Sequence, residues 1–374
     1  MIDFRYHLVS LISVFLALAV GIVLGAGPLK ESIGDTLTGE VDALRQRAAD
    51  LRTELDASAA ELADSRAAFA SVADDLLAGT LEDRRVALVT FGDADGGAAA
   101  DVAARFEEAG ATVSARVRLT DDWVDPTRAT FRQTLGGTLV EYLEPAPDAA
   151  AGSGTELAEA LVQGLSNAVP EDPDRLTENA AVVLQLLTES GLIEVDGEVA
   201  LPADGVVVVA GGFDGRLADE PEETAAPTRA DDLQDTVDRW VAVTRELAFA
   251  ARQRTDGVVV AGHEAVDGGL LAQLREGQDT AARASTVSDV QDLVGQVSVP
   301  LAFAERVAGT VGHYGPGGGT TAPVPPRVQL PPPQRIPQLP VGDPGAGTDP
   351  GGTADGTVDG TTDGAGEQTA DPAG

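Results

Sequence analysis

Cysteine is missing from all 374 residues, lysine occurs only at Lys30 and methionine only at Met1. Without cysteine there is no disulfide, no thiolate nucleophile and no thiolate metal site. The softest metal ligands are thereby almost gone, and imidazole is offered only by His7, His263 and His313. Aromatic residues make up 4% of a chain that is 43% apolar, so a core must be built mainly from Ala, Val and Leu. Positive charge is scarce as well: 25 Lys and Arg against 61 Asp and Glu leave a formal net charge of −36. So acidic a surface repels phosphate backbones, which excludes nucleic acid as a partner class. The acidity itself reads as solubility.

The familiar catalytic templates are absent too. No G-x-G-x-x-G follows the first strand, and there is neither a Walker loop nor a G-x-S-x-G elbow. Gly211, Gly212 and Gly215 make a glycine cluster too short for a phosphate loop. The chain therefore reads as a non-enzyme, with no cofactor evident.

What is present begins at the N-terminus. Residues 8–27 carry no charge, and at about 1.5 Å rise per residue such a run spans a hydrocarbon core of roughly 30 Å. It is longer than the apolar region of a cleaved signal peptide, the competing reading. Its flanking positive charges are Arg5 with the amino terminus on one side and Lys30 on the other, and the large acidic remainder translocates largely regardless of charge. The expected topology places the N-terminus inside and the bulk outside the cytoplasm, in the cell envelope. Ala17, Gly21 and Gly25 recur every four residues, a small-residue face that lets membrane helices pack closely.

A 4-3 apolar repeat follows. Leu37, Val41, Leu44, Leu51, Leu55, Leu62, Phe69, Val72 and Leu76 keep its register, with Ala48, Ser58 and Ser65 filling the remaining seam positions. The spacing predicts a helical rod that joins either a second copy or another coiled-coil protein. Glu40 opposite Arg45 and Glu61 opposite Arg66 of a partner favour a parallel homodimer, while Arg47 facing Arg52 opposes it. The competing reading lays this helix on its own domain.

From Arg85 the pattern becomes short apolar runs between helical segments. Strands are expected at 85–90, 111–119, 205–210, 257–261 and 284–287, and helices at 98–109, 127–143, 155–168, 175–190, 229–252 and 269–276, with a last helix capped by Ser288. Continuous apolar strands separated by helices make an α/β fold with a mostly parallel, helix-covered sheet. Three strands run into Gly92-Asp93, Gly211-Gly212-Phe213-Asp214 and Gly262-His263-Glu264. Ligands of such sheets bind beyond the carboxyl ends of strands, so Asp93, Asp214, His263 and Glu264 are the candidate metal or acid–base residues. Ordinary turn and capping chemistry accounts for the same residue types. His313-Tyr314-Gly315 suits a packing role. The domains expected are a membrane anchor over 1–30, a coiled-coil stalk over 35–78, the α/β domain over 84–315 and a disordered tail over 316–374, first Pro-rich and then rich in Gly, Asp and Thr.

The N-terminal segment Met1-Ile2-Asp3-Phe4-Arg5-Tyr6-His7-Leu8-Val9-Ser10-Leu11, running into Leu18-Ala19-Val20-Gly21-Ile22-Val23-Leu24-Gly25, resembles that of the actinobacterial MctB-type copper transport proteins. The resemblance continues through the stalk, the α/β domain and His313-Tyr314-Gly315. It implies copper efflux or copper homeostasis as the role, copper as the metal, and an envelope address with outer-membrane association. The residues themselves supply no soft-ligand set and no long alternating strands of a membrane barrel. Two other readings stay open: a coiled-coil scaffold of the envelope or division machinery, and an extracytoplasmic enzyme using the acidic strand-end crevice.

Overall fold

A computed structural model describes residues 4–26, 28–92, 97–147, 152–199, 201–211, 227–263 and 265–335, without the side chains of 24–26, 28–39 and 227–231. In chain order the elements are α1 (Phe4–Ala26), α2 (Pro28–Leu77), β1 (Arg85–Phe91), α3 (Ala98–Glu108), β2 (Thr112–Leu119), α4 (Ala129–Leu139), α5 (Ser153–Ser166), β3 (Ala168–Val169), β4 (Asp172–Leu176), α6 (Glu178–Glu189), β5 (Ile193–Val195), β6 (Gly205–Ala210), α7 (Pro227–Arg254), β7 (Gly257–Ala261), α8 (Leu270–Glu276), α9 (Gln278–Ala281), β8 (Ser285–Val287), α10 (Leu293–Val307) and β9 (His313–Tyr314).

Seven strands form one sheet in the order β5-β2-β1-β6-β7-β8-β9, all parallel except the short edge strand β5, which runs antiparallel to β2. The valine-rich runs occupy its centre because neither of their faces can meet water. Val206 to Val209 are all fully buried, and alternate residues feed two cores. Burying one such side chain is worth roughly 1.5–3 kcal/mol. Ala87, Val89, Phe91, Val206 and Val208 face α5, α6 and α7, where Phe91 stacks on Trp240 at 4.3 Å between centroids. Val86, Leu88, Val207 and Val209 face α3 and α10, where Phe106 meets Phe303 edge-on at 5.8 Å.

The last three turns of α2 join the second core: Ala73 and Leu77 are buried, Phe69 packs against the same cluster, and Arg66 pairs with Asp292 at 2.7 Å. Of the expected seam, Phe69 and Leu76 are thus half-buried against their own domain, whereas every side chain from 40 to 68 is exposed. Leu37 and Gly25 lie outside the described side chains. Asp292 precedes α10 at the carboxyl-end side of the sheet, and Leu81 at the foot of α2 bonds through its N–H to Ala109 O beneath α3. Helix α2 therefore runs down past the sheet antiparallel to the strands, and its exposed length projects beyond their carboxyl ends.

Two expectations need correction. The last helix begins at Leu293 after Asp292, and Ser288 does not cap it; the Ser288 hydroxyl donates instead to Pro316 O at 2.7 Å. The stretch from 316 to 335 is also no free tail. It cannot make a core of its own, but Val324, Val328 and Leu330 borrow the second one, and Pro325 is buried. Arg327 donates to Leu76 O (3.0 Å) and Ala78 O (2.8 Å), capping the orphan carbonyls of α2. Arg335 reaches Asp83 O at 2.9 Å and also pairs with the Asp204 carboxylate. Residues 336–374 lie outside the described part.

Candidate functional site

The strand order reverses at β1, whose neighbours are β2 on one side and β6 on the other, so the crevice of this sheet lies beyond the carboxyl ends of β1 and β6. Gly92 and Gly211 stand there side by side, with the Gly211 N–H on Phe91 O at 2.8 Å. Gly92 has φ 66°, which an L side chain adopts at a cost, so glycine is needed to turn the chain off β1. Strand β7 lies next to β6, and the structure therefore brings together the three strand ends that carry the sequence candidates. Of those candidates only His263 is described; Asp93, Asp214 and Glu264 lie outside the described residues.

His263 is held by its backbone neighbours. The Gly262 N–H donates to Val287 O (3.0 Å), and Gly262 O accepts from the Val290 N–H (3.1 Å). Between them Asp289 adopts a left-handed φ of 65° that swings the loop back over β7. The Gln291 amide meets His263 Nε2, while the buried Nδ1 has no hydrogen-bond partner among the described residues. Beside this histidine runs a polar chain that residue patterns did not disclose. Gln296 donates to Asp101 Oδ2 at 3.1 Å, from the first turn of α10 to the first turn of α3. Asp292 next to Gln291 holds Arg66 of α2, so the strand-end rim and the stalk share one hydrogen-bonded loop. Nothing in the sequence pairs residues 226 positions apart. Among the described residues no three His, Asp or Glu side chains come together as a metal-ion cluster.

The other histidines are elsewhere. His7 is exposed on α1. His313 Nδ1 lies 3.0 Å from Thr286 Oγ1, beside the buried Arg275. Among the described residues that guanidinium has no carboxylate partner; it donates to Thr286 Oγ1 (2.9 Å), Tyr314 O (2.8 Å) and Gly318 O (3.2 Å). Burial brings Arg275 down to about 10. Burial first, and then the Arg275 charge, hold His313 below the usual imidazole value. The Tyr314 phenol is pushed up by burial and by its bond to Glu305, so His313-Tyr314-Gly315 is a packing motif fastened to Arg275.

Phe4–Val23, within α1, is a helix long and apolar enough to cross a membrane, and none of it is buried inside the protein. This is consistent with anchoring in the envelope. The span begins four residues before the expected 8–27 and takes in Arg5.

Comparison with known proteins gives a consistent result. A family model described as "Copper transport outer membrane protein, MctB" matches residues 1–325. The copper transporter MctB of Mycobacterium tuberculosis (strain ATCC 25618 / H37Rv) is 32% identical over 336 residues, covering 85% of this chain and 98% of the relative. The protein of the same name from Mycobacterium bovis (strain ATCC BAA-935 / AF2122/97) matches at the same identity and coverage, 32%, 85% and 98%. That of Mycobacterium leprae (strain TN) is 27% identical over 342 residues, covering 86% of this chain and 98% of the relative.

Proposed function

The chain belongs to the MctB family of copper transport outer membrane proteins, and from that premise we propose that it lowers cellular copper as a non-catalytic, membrane-anchored envelope protein. The match over residues 1–325 is the observation that carries this reading, since it spans anchor, stalk and α/β domain together. Helix α1 serves as the anchor, with the N-terminus inside and the domain outside the cytoplasm. The described sheet is open, short-stranded and buried on both faces, which is not the geometry of a membrane-spanning barrel. Copper(I) prefers Cys and Met, of which the chain offers only Met1, whereas copper(II) could use His263 together with the carboxylates that follow the strands in sequence, a weak site with one histidine. The protein acts with a partner that moves the ion.

A second reading has its own support. The exposed run of α2 from 40 to 68 suits a scaffold whose stalk, rather than its domain, is the working part. Cell-associated copper under copper load separates the two in a deletion strain complemented by the full chain or by H263A. Copper export predicts accumulation in the deletion, relief by the wild-type gene and weaker relief by H263A. Unchanged copper in the deletion, with altered cell shape or envelope permeability, would sink the export reading in favour of the scaffold.

A further inference from the structure

The unpartnered face of α2 carries the inference furthest. Val41, Leu44, Leu51, Leu55 and Leu62 are 41%, 60%, 60%, 68% and 52% exposed, and all lie on one 4-3 stripe. A helix standing free of its domain is marginal in water however good its residues, because tertiary packing supplies most helical stability. Something must cover this stripe. We propose that a second copy of the chain does, in a parallel, in-register dimer that zips from Val41 to Leu62 and forks at Ser65.

The charges beside the seam point to self-association. One flank carries Glu40, Arg47, Glu54 and Glu61 and the other Arg45, Arg52, Ala59 and Arg66; in register Glu40 meets Arg45 at the free end of the seam, so one chain supplies both halves of that pair. Arg47 facing Arg52 is the single like-charge encounter, and Arg45 is otherwise tied only to the exposed Asp42 of its own helix. Parallel pairing rests on the anchoring reading above: two stalks tethered by their N-termini in one membrane point the same way at high effective concentration.

The fork follows from what the domain takes. Phe69 and Leu76 continue the stripe in sequence but are half-buried against their own core, and Arg66 is engaged by Asp292. Below Ser65 only Val72 of the stripe stays exposed, between half-buried Phe69 and Leu76, so a partner helix finds no continuous seam there, and polar Ser58 and Ser65 at seam positions weaken the zipper as the fork is approached. Each domain then hangs to the side of the rod with its strand-end rim turned toward the zipped segment.

The natural lack of cysteine makes the test clean. Full-length L44C, L51C, T53C and V72C are prepared in membranes and exposed to a mild oxidant free of copper. All four positions are exposed, so folding is retained. Homotypic disulfide dimer is expected at Leu44 and Leu51 several-fold above Thr53, which lies on the outer face of the rod, and above Val72, which lies past the fork. Equal cross-linking at all four positions, or none at Leu44 and Leu51, would overturn the dimer. A disulfide to a different polypeptide would overturn the second copy as the occupant, and Val72 matching Leu51 would overturn the fork. Whether the protein sediments with membranes is read in the same samples, so failure of the anchor is told apart from failure of the seam, and neither depends on copper.

Discussion

Along the amino-terminal rim of the sheet, Arg84 pairs with Asp256 (2.7 Å), Arg85 with Asp174 (2.6 Å) and Arg254 with Glu159 (3.0 Å), and Arg335 reaches Asp204. Along the carboxyl-terminal rim the residues beyond β7 and β8 offer amides instead, Gln291 on His263 and Gln296 on Asp101, with an exposed ion pair to Arg66, and the ion pairs Arg118–Glu194 and Arg128–Asp122 are set off at the far edge beyond β2. The difference follows from topology. In a parallel sheet the covering helices end at the amino rim, where their carbonyl dipoles favour arginine. Charge there has partners on both sides, and the rim is braced. The opposite rim keeps donors and acceptors in loops, where a ligand or a partner can still be met.

The sharpest way to break this contrast is Arg254→Ala. Arg254 and Glu159 are 8% and 10% exposed, and the guanidinium also donates to Glu144 O and Gln163 Oε1. Leaving Glu159 buried and alone is expected to cost about 3–5 kcal/mol in chemical unfolding, followed by the fluorescence of buried Trp240. A loss below about 1 kcal/mol, the worth of an exposed pair, would mean that the amino rim is not braced as described. Next in size is Gly205→Ala at the start of β6. An added Cβ would lie 2.9 Å from Gly257 O and press into the Phe303 ring, for an expected loss of about 1–3 kcal/mol by the same measurement.

A smaller effect comes from His313, at the edge of the sheet. Its folded imidazole titrates below the ordinary value of about 6.5 because burial and Arg275 oppose its charge. The unfolded chain therefore binds the proton first as the pH drops. The contribution of neutral His313 is complete above about pH 6.5 and declines as the pH falls through its lower folded value. His313→Gln should flatten that part of the stability profile. The smallest effect is expected at the carboxyl rim: His263→Ala should change stability by no more than about 0.5 kcal/mol, since the side chain is only partly buried. A larger loss would make His263 a bracing residue like those of the opposite rim.

Sequence pattern reached the middle of the sheet because five apolar runs leave little choice: 205–210 and 257–261 coincide with β6 and β7, and 85–90 falls one residue short of β1. It missed what long-range contact decides. Strand β5 is three residues and β9 is two, too short for a period, and both exist because an edge was open to them. The β3–β4 hairpin overlaps the end of the helix expected at 155–168 and the start of that expected at 175–190, since Val169 and Asp172 pair across a reversal that composition does not mark. The stripe on α2 was legible, but the change from exposed side chains to domain-packed ones at Phe69 was not, because a 4-3 repeat reads the same whether its own domain or another chain covers it. At the candidate site the glycines and His263 were readable from strand ends. Gln291, Gln296 and Asp101 were not, since amides and a helix-initial aspartate are ordinary in any sequence.

The strap from 316 to 335 brings the two ends of the domain to one spot: Arg327 holds the last turn of α2, and Leu330 bonds through its N–H to Thr80 O at 3.4 Å. In mechanical terms that junction is where a pull along α2 and a pull at Arg335 would first meet, with the Arg66–Asp292 and Arg335–Asp204 pairs sharing the load beside the sheet.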